Sequence, residues 1–374
     1  MCGILGFTNK NFSEDLNYLT SLQKHRGPDS NGLFKDGNIS LIHNRLSILD
    51  VKGGSQPMQD DKNIIVYNGE IFNAPDLREE LEKKGIKFKS KNSDTEVLLK
   101  LYKYKKFKML EDLNGMFSFV IYDKIKNILF GAVDKFSIKP MYYFNKNSNF
   151  IFASELKTIL SFKNVSKEIS LKNINYYFNL QYSPFDETIY KDIKKLTNSS
   201  YFVYDLNEKK FINKKYKYIP KSIVPHISNY EQAVGTSKNF VEESVKRWML
   251  SDVSVSCSLS GGLDSSLIAS IYSKYSSKKI DTITVGFESD NSLFDERVYA
   301  KKVSKFLNTD HNEVIINPDT ILDDMDLIFD NLSEPYGGSL ASWYIYKNLN
   351  HHKVIFTGTG ADDLFGNYGK WKQY

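Results

Sequence analysis

A cysteine directly after the initiator methionine is placed where it can do chemistry. If Met1 is removed, Cys2 keeps a free α-amino group beside its own thiol. Such an amine titrates near pH ~8, so it can take the thiol proton and return it without a histidine. Position alone also fits a chance small hydrophobe in a leading strand. A second group, Leu259-Ser260-Gly261-Gly262-Leu263-Asp264-Ser265-Ser266, follows an apolar run and opens a helical pattern. Small residues at a strand-to-helix turn let backbone N–H groups reach phosphate oxygens, and the helix N-terminus favours negative charge there. No Gly-Lys-Ser/Thr ending is present, so this is not the usual P-loop. Asn68-Gly69, after Asn63-Ile64-Ile65-Val66-Tyr67, reads on spacing alone as a hairpin turn.

The elements that must position these residues change character along the chain. Residues 2–7, 40–43, 63–67, 116–122, 128–133, 141–144 and 150–153 are short apolar runs that predict strands. Two helices interrupt them. Residues 76–84 place Leu77 and Leu81 one turn apart before Gly85, and 95–104 follow the capping-box spacing Ser93-Asp94-Thr95-Glu96. Many strands with few helices predict an α+β domain of packed antiparallel sheets. Polar residues punctuated by Pro220 and Pro225 mark a boundary between about Tyr216 and Asn229. Beyond it helices (230–250, 264–275, 296–307) alternate with strands (253–259, 281–287, 354–357). That alternation predicts an α/β doubly wound parallel sheet.

Bulk properties agree with two domains, because 374 residues exceed one ordinary core. The formal charge of +5 is spread as solvated Lys, with no dense basic block, which argues against nucleic-acid binding. Two cysteines far apart, Cys2 and Cys257, exclude a disulfide framework and favour a reducing, cytoplasmic setting. The N-terminus lacks the pattern of a signal peptide, and no apolar stretch of about twenty residues predicts a membrane span.

Cys2-Gly-Ile-Leu-Gly-Phe7, His25-Arg-Gly-Pro-Asp-Ser30, His43-Asn-Arg-Leu-Ser-Ile-Leu-Asp50, Tyr67-Asn-Gly-Glu-Ile-Phe-Asn73, Asn92–Leu99 and Asn114–Asp123 occur in one order. Together they resemble the class II, N-terminal-nucleophile glutamine amidotransferase domain. Phe136–Tyr143, Ala153–Leu160, Thr284–Glu288, Phe294–Val314, Ser333–Gly338 and Val354–Tyr368 resemble asparagine synthetases, and residues 259–266 resemble the loop of ATP pyrophosphatases. The resemblance implies a glutaminase domain over 2–215 and the first part of a synthetase ATP domain over 230–374, continuing beyond Tyr374.

Glutamine offers a carboxylate, an ammonium and an amide. Arg45 can fork onto the carboxylate as Lys cannot, with Leu46, Ser47, Ile48 and Leu49 of the same segment around the substrate. By resemblance Asp94, with Glu70 beside it, holds the ammonium; a place at a helix start would keep Asp94 ionised. Attack by Cys2 makes an oxyanion, for which Asn68 and Gly69 supply donors. The loop at Arg26–Asp29 reads as a cover or scaffold. For ATP the resemblance implies Leu259, Ser260, Gly261, Gly262, Asp264, Ser265, Val285, Thr357 and Gly358, with Asp264 and Asp362 sharing Mg2+ through pyrophosphate oxygens. The implied partners are L-glutamine, ATP and aspartate or another carboxylate acceptor, and a homodimer is among the assemblies allowed. Thr359 stands where characterised asparagine synthetases carry an acidic residue. The alternatives are therefore an amidotransferase for a sugar acid in surface-polysaccharide synthesis, or a truncated protein with glutaminase activity only.

Overall fold

The computed structural model describes residues 1–8, 14–37, 39–217, 227, 229–288, 295–332, 334, 340–349 and 352–365. Pro220 and Pro225, Phe294, Ser333, residues 335–338 and 366–368, which the sequence patterns include, lie outside the described residues. The chain forms two compact units, Met1–Ile223 with Leu332–Gly337, and Val224–Asn331 with Gly338–Tyr374.

Among the described residues the first unit carries twelve strands: β1 (Gly3–Thr8), β2 (Ser30–Asp36), β3 (Ile39–Arg45), β4 (Met58–Gln59), β5 (Asn63–Ile71), β6 (Gly115–Asp123), β7 (Ile128–Val133), β8 (Tyr142–Lys146), β9 (Asn149–Ala153), β10 (Ile193–Lys195), β11 (Ser200–Asp205) and β12 (Phe211–Lys215). They make two six-stranded sheets, ordered β10-β8-β9-β1-β3-β2 and β12-β11-β7-β6-β5-β4. The pairings are antiparallel.

Successive side chains of a strand point to opposite faces, and here both faces are covered. Ile4, Ile39 and Leu41 of one sheet share a core with Ile64, Val66, Val120 and Leu129 of the other. The alternate residues turn outward. Ile65, Phe119 and Ile121 bury Leu77 and Leu81 of helix Ala74–Lys83 and Val97, Leu98 and Leu101 of helix Asp94–Lys105. Leu5, Phe7 and Ile42 pack against Leu19 of helix Leu16–Ser21 and Leu156 and Ile159 of helix Leu156–Leu160. Two covered faces explain why these strands read as continuous apolar runs.

Three details depart from the sequence patterns. Asn68-Gly69 is not a hairpin turn: β5 runs on to Ile71, with Asn68 opposite Ser118 and Gly69 opposite Phe117. A Cβ on Gly69 would stand 2.2 Å from the Met116 carbonyl oxygen, so close strand pairing, not a turn, requires glycine there. The capping box does not close either. Ser93 makes no side-chain cap, and the Glu96 carboxylate accepts the Lys89 and Ser90 N–H groups instead. Strand β2 carries no apolar alternation, because it lies at a sheet edge with most of its residues exposed.

The second unit holds β13 (Val255–Ser258), β14 (Asp281–Phe287), β15 (Asp310–Ile316) and β16 (Val354–Phe356), all parallel in the order β15-β14-β13-β16. Helices Tyr230–Trp248, Leu263–Tyr275, Arg297–Leu307, Pro318–Asn331 and Leu340–Lys347 alternate with them. The order reverses beside β13, so right-handed crossovers place helices on both faces and open a crevice at the carboxyl ends of β13 and β16. Cys257 packs in this core with Val255, Ala269, Ala300 and Phe356; burial pushes its thiol up to about 12, which makes it inert filling. Among the described residues no helix is long and apolar enough to cross a membrane.

Candidate active site

The first site gathers where β1, β3 and β5 begin or end. Cys2 immediately precedes β1, and its sulfur lies 3.4 Å from the Leu46 N–H just after β3. Its backbone is held from behind. Arg26 donates from Nε to the Cys2 carbonyl at 3.0 Å and from Nη1 to Glu155 at 3.1 Å, and His25 meets the same carboxylate at 2.8 Å. The segment at Arg26–Asp29 is thus scaffold: the Asp29 carboxylate also accepts the Ser47 N–H at 2.7 Å. Burial pushes the Cys2 thiol up, partly offset by the Leu46 N–H and the neighbouring amine and arginines. The same burial pushes the adjoining Met1 amine down to about 5. Burial thus disfavours charge on the Cys2 thiol and on the Met1 amine alike, so both are neutral at neutral pH.

Asn68 is buried on β5, and its Nδ2 has no hydrogen-bond partner among the described residues. A buried amide donor left unpaired costs about 1–3 kcal/mol, so a group that accepts from it during function is the physical reason to look for. Two residues on, Glu70 is buried with Oε1 unpartnered. Burial first, and then the charge of Asp94, push Glu70 up to about 8. Asp94 opens its helix as expected, yet its carboxyl is raised, because burial outweighs the bonds that favour the charged form. Those bonds come from the Tyr67 hydroxyl at 2.8 Å and the Ile71 N–H at 3.1 Å. Two close, buried carboxylates form a site for an ammonium group.

Arg45 is buried at the end of β3 and donates to the carbonyl oxygens of Val51 at 2.9 Å, Leu49 at 3.0 Å and Asp50 at 2.8 Å. Both Nη2 protons and one on Nη1 are used, which leaves Nε–H and one Nη1–H. In this arrangement Arg45 shapes the loop that carries Leu46, Ser47, Ile48 and Leu49. Ser47 is buried, while Leu46, Ile48 and Leu49 are partly exposed.

The sequence patterns gave no role to Asp50, which links the two arms of the site. Its carboxylate accepts from Gly53 at 2.8 Å on its own loop and from Lys91 at 3.1 Å and Asn92 at 3.3 Å, just before Asp94. Its φ of 43° is the only local signal, and that is visible in the fold alone. Asp50→Ala should therefore cost about 1–3 kcal/mol. Amide exchange at Gly53, Lys91 and Asn92 should accelerate together; unchanged exchange at Lys91 and Asn92 would remove the linking role.

The second site is a cleft of about 420 Å³ in the second unit, at the carboxyl ends of β13 and β16. Ser260, Gly262, Asp264, Ser265, Thr357, Gly358, Thr359 and Asp362 line it. Leu259, Gly261 and Val285 do not. Leu259 is core, Val285 lies within β14 opposite Val314, and Gly261 turns the loop at φ +83°, where a Cβ would meet the Ala300 nitrogen at 2.5 Å. The loop braces itself: Ser265 Oγ lies 3.0 Å from Ser260 Oγ and accepts the Ser260 N–H at 3.2 Å. A small-residue loop followed at once by helix Leu263–Tyr275 can cradle phosphate. Asp264 and Asp362 supply two carboxylates to the same cleft, a donor set that suits Mg2+ bridged by phosphates.

Residues 1–217 match the family model of the glutamine amidotransferase domain, and residues 237–374 match that of asparagine synthase. The chain is 33% identical over its whole length to asparagine synthetase [glutamine-hydrolyzing] 1 of Bacillus subtilis, spanning 60% of that protein. It is 33% identical over 98% of its length to putative asparagine synthetase [glutamine-hydrolyzing] 2 of Methanocaldococcus jannaschii, spanning 76% of it. Asparagine synthetase B [glutamine-hydrolyzing] of Escherichia coli is 29% identical over 98% of the chain, which spans 65% of that relative. A buried cysteine site on an antiparallel double sheet, followed by a phosphate-type loop on a parallel one, accords with these matches. The chain belongs to the asparagine synthetase family, with a glutamine amidotransferase domain at its N-terminal end.

Proposed function

We propose that the protein is a glutamine-dependent, ATP-driven amidotransferase that converts aspartate to asparagine. The observation that carries the reading is the buried, unpaired Asn68 amide on the strand that also bears Glu70 and Tyr67, the last of which feels the charge of Cys2. Cys2 attacks the side-chain amide carbon of glutamine, and its proton passes to its own α-amine once Met1 is removed. Asn68 Nδ2 and the Gly69 N–H hold the oxyanion, Asp94 and Glu70 take the substrate ammonium, and Arg45 with the 46–49 segment takes the carboxylate. The α-ammonium returns its proton to the departing nitrogen, ammonia leaves, and water then releases glutamate from the thioester.

For the second half, the loop at Ser260–Ser265 with Thr357 and Gly358 holds ATP. Asp264 and Asp362 would hold Mg2+, which neutralises phosphate charge when bound. The acceptor carboxylate attacks the α-phosphorus and pyrophosphate leaves. Ammonia then displaces AMP from the acyl-adenylate. Thr359 lines this cleft and brings no charge to it, which favours a second reading in which the acceptor is a sugar acid. Incubation with amide-15N glutamine, ATP, aspartate and a uronic acid separates the two. Labelled asparagine supports the first reading. Labelled glutamine-derived nitrogen that never enters asparagine, with a uronic acid amidated instead, supports the second.

A further inference from the structure

Lys139 is nine-tenths buried at the glutamine site, and its ammonium makes no hydrogen bond or ion pair among the described residues. The turn that carries it is rigidly built. Asp134, at the end of β7, accepts from the backbone N–H groups of Phe136 at 2.9 Å, Ile138 at 3.1 Å and Lys139 at 3.1 Å, and from Phe117 of β6 at 3.0 Å. The Asp134 N–H returns a bond to the Phe117 carbonyl at 2.9 Å. Phe117 is the register partner of Gly69, and Met116 that of Glu70. The Lys139 turn is thus fixed onto β6, across from the oxyanion and ammonium residues.

Packing alone would place Met or Leu here, because a buried unpaired ammonium is costly. Asp134 already has four N–H donors, so it does not need Lys139 for neutralisation. Burial pushes Lys139 down to about 8; Arg26 adds to this, while Asp134, Glu70 and Cys2 oppose it. Glu70 in turn feels Asp94 as a repulsive neighbour and Lys139 as its attractive one. The charged or titratable groups that act on this pair are Glu70 and Tyr67 from β5, Asp94 from its helix, Cys2 and the Met1 amine before β1, Arg26, and Asp134.

We propose that Lys139 is a positioning residue of the glutamine site, whose ammonium stands opposite Glu70 and eases its ionisation when the substrate's α-ammonium arrives between Glu70 and Asp94. This rests on the glutaminase reading of the site. Without Lys139 the carboxylate pair holds its proton more tightly, and the incoming ammonium displaces it at greater cost. The loss falls on binding, because the ammonium contact is the same in ground and transition states.

The test uses the whole chain and two readouts. In 13C-glutamate-labelled protein, with the Glu70 signal assigned by Glu70→Gln, the ionisation midpoint of Glu70 is followed in wild type, Lys139→Met and Lys139→Arg. Lys139→Met should raise the midpoint by about one pH unit, and Lys139→Arg should restore it. In glutamine hydrolysis at pH 7, Lys139→Met should raise KM about tenfold with kcat changed less than about threefold. The KM defect should shrink as pH rises, and should vanish in the Glu70→Gln background. An unmoved Glu70 midpoint, or an equal KM effect with and without Glu70, overturns the proposal. If the midpoint moves but wild type does not hydrolyse glutamine, the glutaminase reading fails while the electrostatic role stands.

Discussion

Asn68→Ala should lower kcat for glutamine hydrolysis by about 10²–10³ while KM changes only a few fold. The Asn68 side chain is buried on β5 with its Nδ2 unpaired. A donor that already carries its desolvation cost in the free protein has no water to shed when an oxyanion forms, so its benefit falls on the transition state. Neighbouring strands fix its direction. The His43 Nε2 lies 3.0 Å from the Tyr67 carbonyl oxygen and ties β3 to β5 one residue before Asn68. Burial pushes His43 down to about 3, so the ring stays neutral and donates this bond across the neutral range. Removing an unpaired amide should not destabilise the fold, and a small gain in thermal midpoint is expected. A variant that folds and retains wild-type kcat would show that another donor holds the oxyanion.

The second large effect is at Cys2. Cys2→Ala should abolish glutamine use, a loss of at least about 10³ in kcat/KM, and leave ligation with added ammonium salt in place. Cys2→Ser should remain nearly inactive, because a buried hydroxyl is a poorer nucleophile than a thiol whose proton an adjacent amine can take. The opposite displacements of the Cys2 thiol and the Met1 amine follow from one cause: burial disfavours the thiolate and the ammonium alike. Glutamine turnover should depend on the neutral form of the Cys2 α-amine that loss of Met1 exposes, and should fall as pH drops through that amine's midpoint.

Much of this was legible because local pattern and tertiary role coincided. Gly85 adopts φ +80° after helix Ala74–Lys83, and its N–H bonds the Glu82 carbonyl at 2.8 Å. The apolar runs became strands, since sheets covered on both faces leave only apolar positions. Asn68-Gly69 was opaque in isolation, because the residues that favour a tight turn also serve where a strand must approach closely. The roles of Asp50 and Lys139 depend on partners about 40 and about 70 residues away, and no local period reports such pairs. The capping-box spacing at Ser93–Glu96 misled for a related reason. Glu96 had better donors in the preceding loop than in its own helix start. Edge strands β2 and β15 are mostly exposed and carry little apolar signal.

Cleavage of glutamine by Cys2 is the central claim, and rapid-quench intact-mass analysis with peptide mapping tests it most directly. After mixing with glutamine, the N-terminal peptide should lack Met1 and carry one γ-glutamyl group, glutamine less ammonia, on the Cys2 sulfur. That adduct should decay as glutamate accumulates, and Asn68→Ala should lower its burst. Glutamate formation with no adduct at Cys2, or an undiminished rate in Cys2→Ala, would contradict the account.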